Sequence, residues 1–88
     1  MFQNLLDEIE LLQRHFLVLH YVREFEPIGI VKLSKKTGYS KYQVRNSLSS
    51  LEENDVIEPT QNGAVTTDKT EAFITTQAEQ LTTLLDRV

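Results

Sequence analysis

The sequence lacks cysteine entirely, since none of its 88 residues is one. Disulfide bonds and thiolate zinc sites are therefore excluded, which suits a protein of the reducing cytoplasm. No run approaches the roughly 20 apolar residues that a membrane-spanning helix needs. The first four residues also lack the positive charge that opens a secretory signal peptide. These absences predict a cytoplasmic protein that has no membrane partner.

Patterns that carry catalysis or bind metals are missing too. No nucleophile is accompanied by a base and an orienting group, and there is neither a phosphate-binding loop nor a cluster of metal ligands. His15 and His20 stand five residues apart. That spacing separates them by about 140° around a helix, so they cannot share one metal ion. We expect a protein that is not an enzyme and that needs neither a cofactor nor a metal.

Acidic residues are absent from one stretch, residues 32–45, which carries five basic residues. The rest of the chain holds four basic residues against thirteen acidic ones, so the net charge of −4 separates into +5 and −9. A local positive patch on an acidic protein predicts an anionic partner, and DNA is the leading candidate. The alternative is a surface that is merely solvated. The five basic residues are Lys32, Lys35, Lys36, Lys41 and Arg45.

Long helices are predicted at both ends of the chain, over residues 2–26 and 68–87. Their apolar residues recur with a period of 3.5. Pro27 ends the first helix because the residue before a proline leaves helical geometry, and Thr67 or Asp68 can cap the second. The first apolar seam includes Leu5, Ile9 and Leu12, and the second includes Ile74, Ala78, Leu81 and Leu85.

These two seams have two explanations. They either pack against each other within one chain or form the interface of a two-fold dimer. Each spans about two heptads, which is too short to identify a coiled coil. We favour the homodimer, because it would roughly double the contacts with DNA. It would also place the DNA-contacting helices of the two chains about one DNA turn, or a multiple of it, apart.

Between the two ends, the sequence predicts two short helices joined by a tight turn. The first covers residues 30–36, and Gly38 fits the left-handed position just after it. The second covers residues 40–54, where Ser40 and Gln43 match a capping box. Its buried stripe is predicted to be Val44, Leu48 and Leu51.

Residues 57–60 and 64–67 are predicted to be short strands joined by a loop of three residues. Gly63 would take the left-handed position of this loop. The resulting register places Ile57, Pro59 and Val65 on one face and so buries both aliphatic side chains. A two-residue turn at Asn62 and Gly63 would separate them, which disfavours that register.

In this order of elements, and in several stretches of residues, the chain resembles the winged helix-turn-helix regulators, most of all the short archaeal ones. The similar stretches are PIGIVKLSKKTGYS at residues 27–40, VRNSLSSLEE at 44–53 and VIEPT at 56–60. The resemblance covers residues 16–68. It implies a winged helix-turn-helix core. From its length, the chain is expected to form one domain over residues 1–88, mainly α-helical with a small β-hairpin and long terminal helices. The resemblance also implies a transcriptional regulator that binds double-stranded DNA sequence-specifically.

In that family the second short helix lies in the major groove. The residues opposite the predicted buried stripe would therefore face the bases. Arg45 suits guanine, and Asn46 or Gln43 suits adenine. Asn46 has plain solvation as its alternative. Tyr42 would either stack on a sugar or only cover the start of the helix. Of Ser47, Ser49 and Ser50, only Ser49 has the angle to reach DNA, and the other two would decorate the helix. The phosphates would be contacted by Lys32, Lys35, Lys36, Lys41 and Ser40.

The hairpin, or wing, of that family touches the DNA backbone or the minor groove. Here the wing tip consists of Gln61, Asn62 and Gly63, and no basic residue lies between Thr60 and Asp68. A minor-groove role is therefore not expected, although polar contacts with phosphates remain open. A rival function is also open, because winged helices serve as protein-interaction or assembly modules without binding DNA.

Overall fold

Helices dominate the fold, and one antiparallel hairpin interrupts them. The computed structural model describes residues 2–86, and of Phe2 and Leu84 it describes only the backbone. The elements are α1 (Phe2–Phe25), α2 (Ile30–Thr37), α3 (Lys41–Glu53), β1 (Ile57–Thr60), β2 (Gly63–Thr66) and α4 (Thr70–Asp86). This order confirms the predicted mainly helical fold with a small β-hairpin. Residue 87, where the last helix is predicted to end, lies outside the described residues.

The apolar core lies where the second half of α1 meets α2, α3 and the hairpin. The predicted stripe of α3 is buried as expected, with Val44 fully enclosed. In α1 the buried residues are Val18, Leu19 and Val22, whereas Leu5 is 44% exposed. The first half of α1 therefore extends beyond the core. The core consists of Val18, Leu19, Val22, Ile28, Leu33, Val44, Leu48, Leu51, Val56, Ile57 and Ala64.

The turn between α2 and α3 follows the local signals of the sequence. Gly38 adopts the left-handed conformation with φ 82°, and its N–H donates to the Ser34 carbonyl at 2.9 Å. At the start of α3 the Ser40 hydroxyl accepts from the Gln43 N–H at 3.1 Å, and the Gln43 side chain accepts from the Ser40 N–H at 3.0 Å. Both bonds of the predicted capping box are present, so the orientation of α3 is fixed from its first turn.

The end of α3 is closed by a Schellman motif that contains no glycine. Asp55 takes the left-handed conformation with φ 58°. The Val56 N–H donates to the Leu51 carbonyl, and the Asp55 N–H donates to the Glu52 carbonyl, both at 3.0 Å. Leu51 and Val56 are both buried, which supplies the apolar contact typical of the motif. The motif turns the chain directly into β1.

The hairpin register differs from the prediction. Ile57 pairs with Thr66, Pro59 with Ala64 and Thr60 with Gly63, so the loop has two residues, Gln61 and Asn62. Opposite residues of an antiparallel pair share a face. Val65, paired with Glu58, therefore lies on the other face from Ile57, and the predicted grouping of Ile57, Pro59 and Val65 is wrong.

The reason for this register is a third piece of extended backbone at Ile28. The Ala64 N–H donates to the Ile28 carbonyl at 2.8 Å, and the Ile28 N–H donates to the Ala64 carbonyl at 3.2 Å. Gly63 has φ 129°, and a Cβ there would lie 2.5 Å from the Ile28 carbonyl carbon. The small residues Gly63 and Ala64 therefore let the segment around Ile28 approach, and Ala64 rather than Val65 faces the core.

Threonines join α4 to the end of α3. The Thr67 hydroxyl accepts from the Lys69 N–H at 3.1 Å and donates to the Asp55 carbonyl at 2.6 Å. The buried Thr70 hydroxyl donates to the Val56 carbonyl at 2.7 Å. α4 begins at Thr70, two residues later than predicted, so neither predicted cap, Thr67 or Asp68, directly precedes the helix. No helix within residues 2–86 is long and apolar enough to cross a membrane.

Candidate nucleic-acid interface

The outward side of α3 carries the residues that were predicted to read bases. Tyr42 is 70% exposed, and Arg45, Asn46 and Ser49 are exposed as well. Gln43 is half-buried, and its side-chain oxygen is already used in the capping box. Reading adenine with Gln43 would therefore break a bond that holds the start of α3. This leaves Tyr42, Arg45, Asn46 and Ser49 as the free outward set.

The five cations of residues 32–45 are all exposed and unpaired within residues 2–86. The two ion pairs of this described part lie elsewhere, Arg23 with Glu71 at 2.8 Å and Lys69 with Asp55 at 3.5 Å. No described carboxylate therefore neutralises the positive patch that the sequence predicted.

Two of the three lysines of α2 also stabilise the fold. Lys35 and Lys36 stand in the last turn of α2, where a positive charge stabilises the negative end of the helix dipole. The Lys36 ammonium also lies 4.0 Å from the ring centroid of Phe25, as a cation–π contact. Together with Lys32 they line a depression floored by Phe25, Pro27 and Ile28. The charges of Lys35 and Lys36 are thus partly explained by the stability of the fold, whereas Lys32, in the first turn of α2, has no such explanation.

Lys41 and Arg45 have no such explanation. They lie in the first half of α3, and the first turn of that helix contains no acidic residue. A cation near the N-terminus of a helix is unfavourable for the helix, because that end already carries a partial positive charge. The same arrangement is favourable for binding an anion. This argument applies to Lys41 in the first turn, and Arg45, four residues further on, adds an exposed cation that is unpaired among the described residues.

Behind this surface, a buried hydroxyl ties α3 to α1. Ser47 is fully buried, so it does not decorate the outside of the helix as the sequence suggested. Its Oγ accepts from Arg14 Nε at 3.1 Å and lies 2.8 Å from His15 Nδ1. With Arg14 donating to the oxygen, the hydroxyl proton of Ser47 can point to a neutral His15. Sequence reasoning missed this pairing because residues 14, 15 and 47 are joined only by the packing of two helices.

His15 makes stability depend on pH in a predictable direction. Burial first, and the Arg14 charge second, lower the pKa of His15 below its ordinary value of 6.5. Well above pH 6.5 both folded and unfolded chains hold a neutral His15, and its contribution to stability is constant. As the pH approaches and passes below this value, the unfolded chain takes the proton more readily. The melting temperature should therefore fall as the pH drops from about 7.5 to about 5.5, before most carboxylates titrate.

The experiment compares the wild type with His15→Asn. His15→Asn should flatten this pH dependence, because no titrating ring remains beside Arg14. Equal slopes for wild type and His15→Asn in thermal melts would show that another group is responsible.

The tip of the hairpin is exposed and uncharged. Gln61 and Asn62 form its loop, and the Asn62 N–H donates to the Thr60 hydroxyl at 3.2 Å. On β2, the Thr66 hydroxyl and N–H both donate to the carboxylate of Glu26, which fastens the hairpin to the segment that follows α1. The tip can therefore offer polar groups to a phosphate but no positive charge.

The terminal helices leave an open apolar groove between them. Phe16 of α1 contacts Phe73 of α4 with ring centroids 6.3 Å apart, and Leu81 faces α1 further along. The groove has a volume of about 490 Å³, and Leu85 beyond it is 64% exposed. Within one chain the two predicted seams therefore meet only in part. The groove is lined by Ile9, Leu12, Gln13, Phe16, Leu17, His20 and Leu81.

Comparisons with known proteins add no family to these observations. No protein-family model matches the chain, and no curated protein matches it in sequence. Among residues 2–86 there is also no group of three or more histidine, aspartate or glutamate side chains that could hold a metal ion.

Proposed function

We propose that this protein is a winged helix-turn-helix protein that binds double-stranded DNA sequence-specifically, as a dimeric transcriptional regulator. The observation that carries the proposal is the pair of cations on the first half of α3. Lys41 and Arg45 are exposed, form no ion pair within residues 2–86, and flank neutral hydrogen-bonding side chains. Such a surface favours a polyanion that also presents donors and acceptors, as the edges of DNA bases do.

In the proposed complex, α3 enters the major groove with its N-terminal half. Arg45 donates two N–H groups to O6 and N7 of a guanine, and Asn46 pairs with an adenine. Tyr42 and Ser49 contact neighbouring bases or sugars. The backbone phosphates are held by Ser40, Lys41 and the three lysines of α2, which set the register without reading sequence.

The dimer in this proposal is formed by α1 and α4. From Gln3 to Leu11 every side chain of α1 is exposed, including four large apolar ones. Large apolar side chains grouped on one exposed helix segment are typical of an interaction surface. A second copy that inserts its own leucines into the groove between α1 and α4 would bury them reciprocally, as a two-fold interface requires.

Duplex retention under increasing salt tests the DNA-binding proposal. The logarithm of the association constant should fall with the logarithm of the salt concentration, by about 0.9 for each phosphate contacted. Arg45→Ala should weaken binding to a duplex selected from a random pool by about tenfold to a hundredfold and blur its preference for that duplex. Lys36→Ala should weaken all duplexes alike and reduce the salt slope by about 1.

Arg23→Ala is the control for a change of net charge. Arg23 pairs with Glu71 of α4 at 2.8 Å and is not among the proposed contacts. This variant should bind like the wild type. If Arg45→Ala and Lys36→Ala also retain duplexes like the wild type at low salt, DNA is not the partner.

A protein-interaction module is the second candidate function. The open apolar groove supports it, together with the acidic residues that the terminal helices carry, among them Asp7, Glu8, Glu10 and Glu79. A basic amphipathic helix of another protein would suit such a surface. The absence of any duplex binding by the wild type at low salt would favour this second function.

A further inference from the structure

A single row of side chains forms the outermost line of α3. Tyr42, Asn46, Ser49 and Glu53 follow each other by four, three and four residues, and all four are exposed. This spacing places them within about 60° of one another around the helix and spreads them over about 16 Å along it. The line is neutral except at its C-terminal end, where Glu53 carries a carboxylate.

Charge is therefore distributed unevenly along α3. Lys41 and Arg45 flank the first half, and the last turn contains no basic residue. The C-terminal end of a helix also carries a partial negative charge. Within residues 2–86 the Glu53 carboxylate has neither a hydrogen-bond donor nor an ion-pair partner, so its charge is not compensated locally.

More acidic residues lie behind Glu53. Glu52, Asp55, Glu58 and Asp68 line one depression of about 480 Å³ at the base of the hairpin. Only Asp55 is paired there among the described residues, with Lys69 at 3.5 Å. The negative end of α3 thus continues into the base of the wing, whose tip has no cation to offset it.

We infer that Glu53 is a negative determinant of DNA binding, which sets the tilt of α3 and limits attachment to unselected duplexes. This inference rests on the proposed DNA-binding function. A helix lying flat in the groove would bring Glu53 toward the phosphates, where like charges repel. The favourable approach therefore places the N-terminal half deepest and lifts the C-terminal end and the base of the wing away from the duplex.

The Glu53 charge therefore reduces the affinity for every duplex, and base contacts compensate best for this loss at the selected sequence. Contacts from Arg45 and Asn46 hold the tilted helix on a selected site, whereas a random duplex offers phosphates alone. Without the Glu53 charge, a random duplex could contact a longer part of α3. The ratio of specific to non-specific affinity should then decrease.

Glu53→Gln tests this inference with little change in shape. At about 50 mM salt, we expect binding to a random duplex to tighten about threefold or more, as removal of one repulsive charge near phosphates should do at low screening. Binding to a duplex selected with the wild type should tighten less. The gain on the random duplex should shrink as salt is raised. Glu79→Gln on α4 makes the same charge change at another exposed position and should bind like the wild type.

Two results would overturn the inference while leaving the proposed function intact. Glu53→Gln could weaken the selected duplex alone, which would mean that Glu53 accepts from a cytosine amino group and reads sequence directly. It could also bind both duplexes as Glu79→Gln does, which would mean that the end of α3 lies clear of DNA. If the wild type retains no duplex at low salt, the proposed function and this inference fall together.

Discussion

Replacing Gly63 by alanine is expected to destabilise the fold by about 3 kcal/mol or more. The new Cβ would lie 2.5, 2.6 and 2.7 Å from the carbonyl carbon, oxygen and nitrogen of Ile28, all of them backbone atoms. Gly63 also has φ 129°, a conformation that residues with a Cβ rarely adopt. The hairpin would have to leave Ile28 and lose both backbone bonds to it. Thermal unfolding should show a melting temperature lower by about 12 °C or more.

Gly29→Ala is the matched control for this change. A Cβ at Gly29 meets no heavy atom within 4 Å, and Gly29 has φ −96°. The effect of Gly29→Ala should stay within about 1 kcal/mol, since alanine only weakens the N-cap position of α2 and reduces the freedom of the unfolded chain. Equal melting temperatures for the two variants would mean that the hairpin does not depend on close contact with Ile28.

Leu81→Asp is expected to convert the proposed dimer into a monomer. Leu81 lines the groove between α1 and α4 and is 39% exposed in the single chain, so a partner would bury it further. An unpaired carboxylate in that apolar interface would lose the leucine contacts and carry a large desolvation cost. Sedimentation or light scattering should give the mass of one chain for this variant and of two for the wild type. DNA affinity should fall as well, because the two half-sites would be bound separately.

Thr83→Asp introduces the same residue nearby with a different expectation. Thr83 is exposed and lies on the far side of α4 from the seam of Ile74, Ala78, Leu81 and Leu85. This variant should keep the mass of the wild type. A wild type that is itself monomeric, or a Leu81→Asp variant of unchanged mass, would exclude the proposed interface.

Local signals made much of the fold predictable. Pro27 ended α1, Gly38 ended α2, and Ser40 with Gln43 began α3, each within a residue or so of the expected position. These residues act on backbone groups at most four positions away, so their effects can be read without knowing the rest of the structure. The helical period likewise predicted that Val44 would be buried and Arg45 exposed.

The exposure of most candidate residues was predictable, but their structural surroundings were not. The sequence treated the five cations alike. Only the packing showed that Lys36 lies against Phe25, while Lys41 and Arg45 have no partner of that kind among the described residues. The outward position of Glu53 follows from the helical period, but the acidic depression behind it depends on where the chain folds back at β1 and α4.

The sequence by itself determined the helices, the end of α2, the start of α3 and the separation of charge along the chain, because each of these depends on neighbours a few residues apart. The tertiary structure alone decided the hairpin register, the burial of Ser47 beneath Arg14 and His15, and the exposure of the first half of α1. All three depend on segments more than 20 residues apart meeting in space. A backbone pairing such as that of Ile28 with Ala64 leaves no signal in the local pattern of either segment, and it overrides the preference for burying the larger side chain of Val65.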